Sequence, residues 1–308
     1  MCKSVLTTGI PVFNGEKYIR AALESLHAQT RPPDRVVVFD NCSTDKTREV
    51  VEAFKGLKDL ELRTSSRNIG GLPNFNRTLE LASQTDYLHI LSCDDLIKPD
   101  FYSRLTSALD PVLGQAMAFS RLSIIDESGK IVSEEFASKK PSLRVWAIPK
   151  FLARQSELRH VYCQSVLLKT VRKPSPVNFE TDWLQAADVV FFAEWARLTG
   201  LVVEIQEPLC LFRVHSGSFT SGNMFHLDRW VMEEWRAMQR VAALIDEPRI
   251  ARLLRNLKLK CIFAARSRVK MSVVGHAQTA YAREIAERVR ATVGEIPWRL
   301  GSAALKLR

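Results

Sequence analysis

The chain has 308 residues, of which 46% are hydrophobic and 25% charged, and this composition is that of a globular protein with a large core. The net charge of +10 lies in one part of the chain, because residues 229–308 carry 17 Lys and Arg residues against 7 Asp and Glu residues. Six cysteines without a C-x-x-C pair exclude a zinc or disulfide framework and indicate reduced thiols.

Membrane-spanning and signal segments, where a sequence has them, bear on the expected location of the protein. No apolar run reaches the roughly 20 residues that a membrane-spanning helix needs, and no signal peptide precedes the strand-like sequence at Ser4. We expect a soluble cytoplasmic protein, with peripheral contact at the inner face of the membrane as a further option for the basic end of the chain.

The first third of the chain predicts alternating strands and helices. Short apolar runs bounded by turn formers predict strands over 4–10, 35–39, 60–64 and 87–91. Apolar residues at helical spacing predict helices over 16–29, from an N-cap at Ser43 or Thr44, over 74–82, and from Pro99 to 109.

The rest of the chain predicts a hairpin, an irregular middle and a helical end. Residues 117–134 have the pattern of two strands around a turn at 126–129. Weak periodicity predicts an acceptor-side loop region over 138–175, with one strand at 161–168. The remaining predicted elements are a helix over 183–198, strands over 201–205 and 209–214, and helices over 227–244, 248–272 and 276–293, with Pro297 breaking the last piece.

Polar residues collect where the first four predicted strands end. The segments are Pro-Val-Phe-Asn at 11–14, Asp-Asn-Cys-Ser-Thr-Asp at 40–45, Arg-Asn-Ile-Gly-Gly at 67–71 and Ser-Cys-Asp-Asp at 92–95. Open α/β sheets bind ligands at the carboxyl ends of their parallel strands. The pattern therefore predicts a nucleotide site at this edge.

These segments, in this order, resemble those of family 2 glycosyltransferases of the GT-A fold. The resemblance covers roughly residues 3–220 and implies a Rossmann-like α/β/α sandwich with a mostly parallel sheet, followed by a C-terminal helical extension. It implies a glycosyltransferase domain over 1–220, with a nucleotide-sugar half over 1–115 and an acceptor half over 116–220. The basic helical region would then cover 221–308.

The resemblance also implies an activity and its partners. We expect inverting transfer from a nucleotide-diphosphate sugar, with a UDP-sugar favoured, to a hydroxyl of a saccharide or lipid-linked saccharide in cell-surface polysaccharide synthesis. Mn²⁺ or Mg²⁺ would neutralise the leaving diphosphate. The sugar, the base and the acceptor are not predicted by the sequence.

The metal site is predicted after the fourth strand. Asp94 matches the last acid of the family's DxD motif, and hard cations prefer oxygen ligands. Ser92 stands where the family has its first acid, and Cys93 lies between them. His215 resembles a histidine with which similar enzymes approach the metal. In the alternative interpretation the Asp94 and Asp95 carboxylates only cap the following helix.

The resemblance places the nucleotide against the other strand ends. Asp40 matches the carboxylate that accepts the imide N–H of the base, although it can also be a simple turn residue. The other residues predicted to contact the nucleotide sugar are Pro11, Val12, Phe13, Asn14, Asn41, Arg67, Asn68, Ser92 and Cys93.

A general base and an acceptor contact are predicted in the stretch 180–188. Asp188 aligns with the family's base, which takes the proton of the acceptor hydroxyl, and Asp182 is the fallback. Ala187 stands where the family often has another acid, and either aspartate can instead be a helix N-terminal charge. Trp183 is predicted to stack on an acceptor sugar or to be buried. Arg213 and Ser218 belong to a predicted lid.

The sequence is also compatible with other functions. The first strand lacks a G-x-G-x-x-G, which argues against a dinucleotide-dependent oxidoreductase. A noncatalytic nucleotide-sugar or polysaccharide-binding protein is the main alternative, because Ser92 and Ala187 depart from the family pattern. For the helical end, with its apolar positions Leu253, Leu254, Leu257 and Cys261, the alternatives are packing against the catalytic domain, a homodimer or contact with a membrane, and no nucleic acid is expected.

Overall fold

A computed structural model describes residues 4–134, 142–159, 161–183, 185–217, 227–274 and 279–306, without the side chains of 273–274, 279–280 and 302–306. The chain divides into two compact units. The first, here the sheet unit, comprises Met1–Phe151, Val161–Thr181 and Glu194–His215. The second, here the helical unit, comprises Leu152–His160, Asp182–Ala193 and Ser216–Arg308. The predicted domain boundary at residue 220 stays a prediction.

The sheet unit is built on ten described strands. They are β1 (Leu6–Val12), β2 (Arg35–Asp40), β3 (Leu60–Thr64), β4 (Tyr87–Ile90), β5 (Leu96–Ile97), β6 (Ala116–Ile125), β7 (Ile131–Glu134), β8 (Leu143–Trp146), β9 (Val166–Lys169) and β10 (Val202–Arg213). Their order is β3-β2-β1-β4-β9-β6-β10-β5, with β7 beside β6 and β8 beside β10.

Most of these strands run in one direction, as the sequence predicts. β1 pairs in parallel with β2 and β4, and β2 pairs in parallel with β3. β9 is antiparallel to both β4 and β6, so β6 and its parallel neighbour β10 run the same way as the first four strands. The order reverses at β1, which makes the carboxyl ends of β1 and β4 the expected ligand edge.

The first six described helices are α1 (Ile19–His27), α2 (Thr47–Ala53), α3 (Gly71–Leu79), α4 (Phe101–Leu109), α5 (Ile148–Ser156) and α6 (Ala187–Thr199). Alternate residues of β1 point to opposite faces of the sheet. Leu6 and Ile10 join one core cluster with buried residues of α1, α2 and α4. On the opposite face, a Cβ at Gly9 would lie 2.8 Å from the Thr78 Cβ of α3. The predicted α/β/α layering is confirmed.

Two predictions for the second half of the sheet unit are wrong. The region 138–175 is not mainly loop, because its described part contains β8, α5 and β9. The predicted strands 201–205 and 209–214 are one strand, β10, whose pairing with β6 shifts register around Pro208. Proline lacks the N–H that a regular ladder needs, so it produces a local irregularity here and does not end the strand.

The helical unit contains α7 (Leu227–Ala242), α8 (Arg249–Val274), α9 (Thr279–Val293) and α10 (Glu295–Lys306). Gly301 allows α10 to approach α8 closely, since a Cβ there would lie 2.9 Å from the Ala264 Cβ. Pro297 does not break the helix as predicted; it lies in the first turn, where its missing N–H costs no hydrogen bond. Among the described helices, none is long and apolar enough to cross a membrane.

Candidate active site

The loops after β1, β2 and β4 meet at one edge of the sheet. Val12 and Asp40 are register partners at the ends of β1 and β2, and the Asn41 N–H donates to the Val12 carbonyl at 2.8 Å. The Leu91 N–H donates to the Gly9 carbonyl at 3.0 Å, which holds the end of β4 against β1. The predicted nucleotide-sugar segments are therefore neighbours in space.

The β1 loop is fixed by the segment that was predicted to start α2. Asn14, at φ 51°, donates from its N–H to the Ser43 Oγ at 2.9 Å, and its Oδ1 accepts the Thr44 N–H at 2.9 Å. Ser43 and Thr44 are not N-caps, because α2 begins at Thr47. Their polar groups are used to connect the β1 and β2 loops.

The predicted turn at 11–14 is shorter than expected. Pro11 and Val12 are buried residues of β1, so only Phe13 and Asn14 project beyond the strand. Phe13 is 46% exposed, which leaves an aromatic face open to solvent at this edge. Contact of these residues with a nucleotide sugar stays a prediction.

Asp40 is fully buried at the end of β2. Its two carboxylate oxygens accept the Ser43 N–H at 3.1 and 3.3 Å, and the Arg48 Nε lies 3.9 Å from Oδ2. These contacts close a turn directly at the strand end. Arg48 was not singled out from the sequence, because an arginine one helical position after Thr47 has no distinguishing pattern.

Asn41 connects the β2 loop to the β3 loop. Its Nδ2 donates to the Asn68 Oδ1 at 2.8 Å and to the Gly70 carbonyl at 3.2 Å, while its Oδ1 accepts the Ile69 N–H at 2.9 Å. Asn68 is thus held beside the other predicted residues, and Arg67 is exposed next to it. One amide side chain therefore uses three hydrogen bonds to set the position of the third loop.

Asp94 and His215 are brought together although 121 positions separate them. The His215 Nε2 lies 3.0 Å from the Asp94 Oδ2, and both side chains are partly exposed, at 10% and 23% respectively. The His215 ring lies 4.7 Å from the ring of Tyr18, centroid to centroid. Tyr18 was not found from the sequence, since it precedes α1 without belonging to any motif.

Asp95 has a structural environment that differs from that of Asp94. It is 2% exposed, its Oδ1 accepts the Arg213 N–H at 2.7 Å, and its own N–H donates to the Ser92 carbonyl at 3.2 Å. Burial, together with the nearby charge of Asp94, raises the pKa of Asp95 well above its usual range. Ser92, which replaces the first acid of the motif, therefore supports the turn.

Arg213 anchors the Asp94 loop. Its guanidinium donates from Nε to the Asp94 carbonyl at 2.8 Å and from Nη1 to the carbonyls of Asp126 and Glu127 at 3.0 Å each. Arg213 is 4% exposed. The lid role predicted for Arg213 stays a prediction, and Ser218 lies outside the described residues.

The residues present fit a divalent cation. Asp94 and His215 offer one carboxylate oxygen and one imidazole nitrogen at hydrogen-bonding distance, and Cys93 lies next to Asp94. Within the described ranges, no group of three or more His, Cys, Asp or Glu side chains could hold a metal ion. The Asp94 carboxylate suits an ion such as Mg²⁺, which is bound through one or two carboxylates and completes its shell with phosphate and water oxygens.

The predicted base and acceptor residues lie in the helical unit. Asp182 is exposed, and its Oδ2 lies 2.5 Å from the Arg236 Nη2, which lowers the pKa of Asp182. Trp183 is 3% exposed, with the Arg236 guanidinium 4.0 Å from its ring centroid, so burial is its observed environment. Its contact with an acceptor stays a prediction.

Asp188 lies in the first turn of α6. Its Oδ1 accepts the Val189 N–H at 2.8 Å, and its side chain is only partly buried. The start of this helix is held by Glu233 of α7, whose Oε1 accepts the N–H groups of Gln185 and Ala186 at 2.6 and 2.8 Å. Glu233 thereby satisfies two backbone donors just before α6.

Comparison with known proteins identifies the family. The model of glycosyl transferase family 2 matches residues 7–173, which is more than half of the chain. The chain belongs to this family. The matched residues include Asp40, Asn41 and Asp94, whereas Arg213 and His215 follow the matched range.

Curated relatives of this family 2 member include glycosyltransferases of bacteria. It is 32% identical over 104 residues to the poly(ribitol-phosphate) beta-N-acetylglucosaminyltransferase TarS of Staphylococcus aureus, which covers 33% of this chain and 18% of TarS. It is 28% identical over 119 residues to the putative teichuronic acid biosynthesis glycosyltransferase TuaG of Bacillus subtilis, which covers 38% of this chain and 46% of TuaG. The chain thus spans less than half the length of these relatives.

Solved structures share the fold of this family member. TarS residues 1–349 in complex with UDP-GlcNAc match with a TM-score of 0.60 and 18% identity, over 94% of this chain and 90% of the other. The mannosyltransferase PcManGT of Pyrobaculum calidifontis, in complex with GDP-Man and Mn²⁺, matches with a TM-score of 0.53 and 17% identity, over 97% and 84%. The likeness confirms the predicted fold class.

Proposed function

We propose that the chain is a metal-dependent, inverting glycosyltransferase that moves a sugar from a nucleoside diphosphate sugar to an acceptor hydroxyl. The observation that carries this proposal is the Asp94–His215 pair, 3.0 Å apart, at the edge of the sheet where the β1, β2 and β4 loops meet. Family membership supports the same assignment.

Asp94 and His215 are the residues that would hold the metal. A divalent ion bound there would supply positive charge against the diphosphate as it leaves. Arg213 contributes by fixing the Asp94 backbone, and Asp95 and Ser92 contribute by fixing the turn around it. A metal-coordinating side chain whose position is already fixed loses little conformational freedom when the ion and the donor bind.

The donor is proposed to be a UDP-sugar. Asp40 lies at the end of β2, where a carboxylate can accept the imide N–H of uracil in addition to the Ser43 N–H. Solved structures of similar fold were determined with UDP-GlcNAc and with GDP-Man, which supports a nucleoside diphosphate sugar in general. The exposed ring of Phe13 offers a face for the base at the same edge.

The general base is proposed to be Asp188. The ion pair with Arg236 lowers the pKa of Asp182, and a carboxylate of lowered pKa accepts a proton less readily. Asp188 lies in the first turn of α6, where its Oδ1 accepts the Val189 N–H. The acceptor is proposed to be a saccharide or lipid-linked saccharide, in keeping with relatives named for teichuronic acid and succinoglycan biosynthesis.

Thermal unfolding in the presence of UDP tests the metal and donor assignment. We expect UDP to raise the unfolding temperature of the parent chain more strongly with Mn²⁺ than without it, and GDP to do so less. Asp94→Asn should abolish the Mn²⁺ dependence. Asp95→Asn is the matched control, because an amide oxygen still accepts the Arg213 N–H and the neutral side chain suits its buried position. Equal responses of both variants would contradict the assignment of Asp94.

A noncatalytic binding protein remains the second candidate. It is favoured by Ser92, which supplies a hydroxyl and no carboxylate at the position of the family's first acid. Incubation with UDP-GlcNAc and Mn²⁺, followed by measurement of released UDP, separates the two functions. Release of UDP above the rate without protein supports the transferase, whereas Mn²⁺-dependent binding without release supports the binding protein.

A further inference from the structure

The beginning of α8 exposes a continuous apolar stripe, formed by Ile250, Leu253, Leu254 and Leu257. Their side chains are 73%, 62%, 64% and 47% exposed, respectively. Spacings of three, four and seven residues place all four on one side of a helix. Cys261, which continues the stripe in the sequence, is partly buried. Single exposed leucines are ordinary, but four neighbours on one face form a surface that a soluble partner or a membrane can cover.

The stripe does not serve the internal packing of the helical unit. The buried side of α8 carries Leu259 and Phe263, and the Phe263 ring lies 5.2 Å from the ring of Trp235 on α7. Farther along α8, α10 packs on the side that continues the stripe, where Gly301 meets Ala264. The apolar side of α8 is therefore covered over its second half and exposed over its first turns.

The charge of α8 has a single sign. Its 26 residues include eight Lys and Arg residues and no Asp or Glu residue. With 3.6 residues per turn, Arg249 and Lys260 lie along one margin of the stripe and Lys258 along the other. Lys258 forms an ion pair with Glu157, the residue after α5, and is still 61% exposed. Basic residues on both sides of an apolar stripe form the pattern of a helix that lies in a membrane interface.

We infer that this stripe docks on an anionic lipid bilayer. The apolar side chains would enter the boundary between headgroups and acyl chains, and the flanking lysine and arginine side chains would contact lipid phosphates. A second copy of the chain is a poorer partner, because two identical stripes would bring basic margins of like sign together. Nucleic acid is also a poorer partner, since it offers no apolar surface for four aliphatic side chains.

This inference goes beyond the proposed function and does not depend on it. The stripe belongs entirely to α8, and none of its residues is assigned to the donor, the metal or the acceptor. A bilayer partner would keep the protein at a surface where lipid-linked acceptors are concentrated. Binding to lipid can therefore be measured without any sugar donor, and its failure would leave the transferase proposal untouched.

Vesicle cosedimentation of the full chain tests the inference. We expect binding to phosphatidylcholine vesicles that contain phosphatidylglycerol and little binding to pure phosphatidylcholine vesicles. Leu253→Ser combined with Leu254→Ser should weaken binding by about tenfold. Val269→Ser is the matched control, because Val269 is a 46% exposed aliphatic residue of the same helix outside the stripe.

A variant with fewer positive charges tests the contribution of the basic residues to vesicle binding independently. Arg249→Gln combined with Lys258→Gln should weaken binding to the anionic vesicles by about 30-fold at low salt. Lys55→Gln combined with Lys58→Gln removes the same net charge from exposed positions of the sheet unit and should leave binding unchanged. Absence of binding by the parent chain, or equal loss in the variants and their controls, would overturn the inference.

Sedimentation velocity separates the membrane from self-association. We expect the parent chain and the Leu253→Ser, Leu254→Ser variant to have the same mass in solution. If the parent were an oligomer that this variant dissociates, and vesicle binding did not change, the stripe would be an interface between copies and the inference would be wrong.

Discussion

Arg213 donates from its Nε to the carbonyl oxygen of Asp94 at 2.8 Å, across 119 positions of sequence. The same side chain also satisfies the carbonyls of Asp126 and Glu127. Arg213→Met should remove these charge-assisted hydrogen bonds and destabilise the chain by about 3 kcal/mol. Urea unfolding measures the change. Arg172→Met is the control, since Arg172 is an exposed partner of Asp86 and should cost less than about 1 kcal/mol.

His215 should set the metal affinity. Replacing it with alanine removes the imidazole nitrogen 3.0 Å from the Asp94 carboxylate. The Mn²⁺ concentration that half-saturates UDP binding should rise by about tenfold, equivalent to about 1.4 kcal/mol of binding free energy. Titration calorimetry with Mn²⁺ at saturating UDP checks this. Tyr18→Leu removes the ring next to His215 and under the Arg213 guanidinium, keeps both proposed metal ligands, and should have a smaller effect.

The two candidate bases should behave differently. Asp188→Asn should lower the rate of transfer by about 10²–10⁴-fold, which is the usual contribution of a general base, and leave UDP binding unchanged. Asp182→Asn breaks the exposed pair with Arg236 and should leave the rate nearly unchanged. Initial rates of UDP release with a competent acceptor decide between them. A loss of rate confined to Asp182→Asn would show that Asp182, and not Asp188, is the general base.

His89 should make stability depend on pH. It is fully buried on β4, with its Nδ1 2.8 Å from the Tyr102 hydroxyl and its Nε2 2.9 Å from the Gln164 carbonyl. Burial lowers the pKa of His89 to about 4, so the unfolded chain, with a histidine pKa near 6.5, takes up the proton first. The stability that neutral His89 confers is complete above about pH 6.5 and is lost as the pH falls toward 4.

This loss should be on the order of 3 kcal/mol and is measured by urea unfolding at pH 7 and at pH 4.5. His89→Gln should be less stable at pH 7 and should show a smaller decrease between the two pH values. The exposed His27→Gln variant should follow the parent at both pH values. An identical pH dependence of all three proteins would contradict the role of His89.

The sequence predicted that these loops meet at one edge of the sheet, because the cause of that arrangement is local. β2 and β4 are short apolar runs, and the polar residues that end them are adjacent in the chain, so periodicity and turn residues suffice. The start of α2 was misplaced for a related reason. Ser43 and Thr44 have the pattern of N-caps, but their polar groups are taken by Asn14, 29 and 30 positions away.

Elements defined by distant partners could not be predicted in this way. β5 has two residues, and it is a strand only because Leu96 and Ile97 pair with Leu211 and Cys210 of β10. β8 is exposed on most of its residues and owes its form to the first half of β10. Tyr18 and Arg48 likewise join the site through folding, and no local pattern distinguishes either residue.

The position of β10 in the chain has a consequence for biosynthesis. A nascent polypeptide that ends after β9 already contains Asp40 and Asp94, but it lacks the strand that pairs with β5 and β6 and the two side chains that reach the Asp94 loop. The chain must therefore be synthesised through His215 before the proposed cation site can be assembled. Until then, the Asp94 loop lacks the hydrogen bond that the Arg213 side chain donates to it.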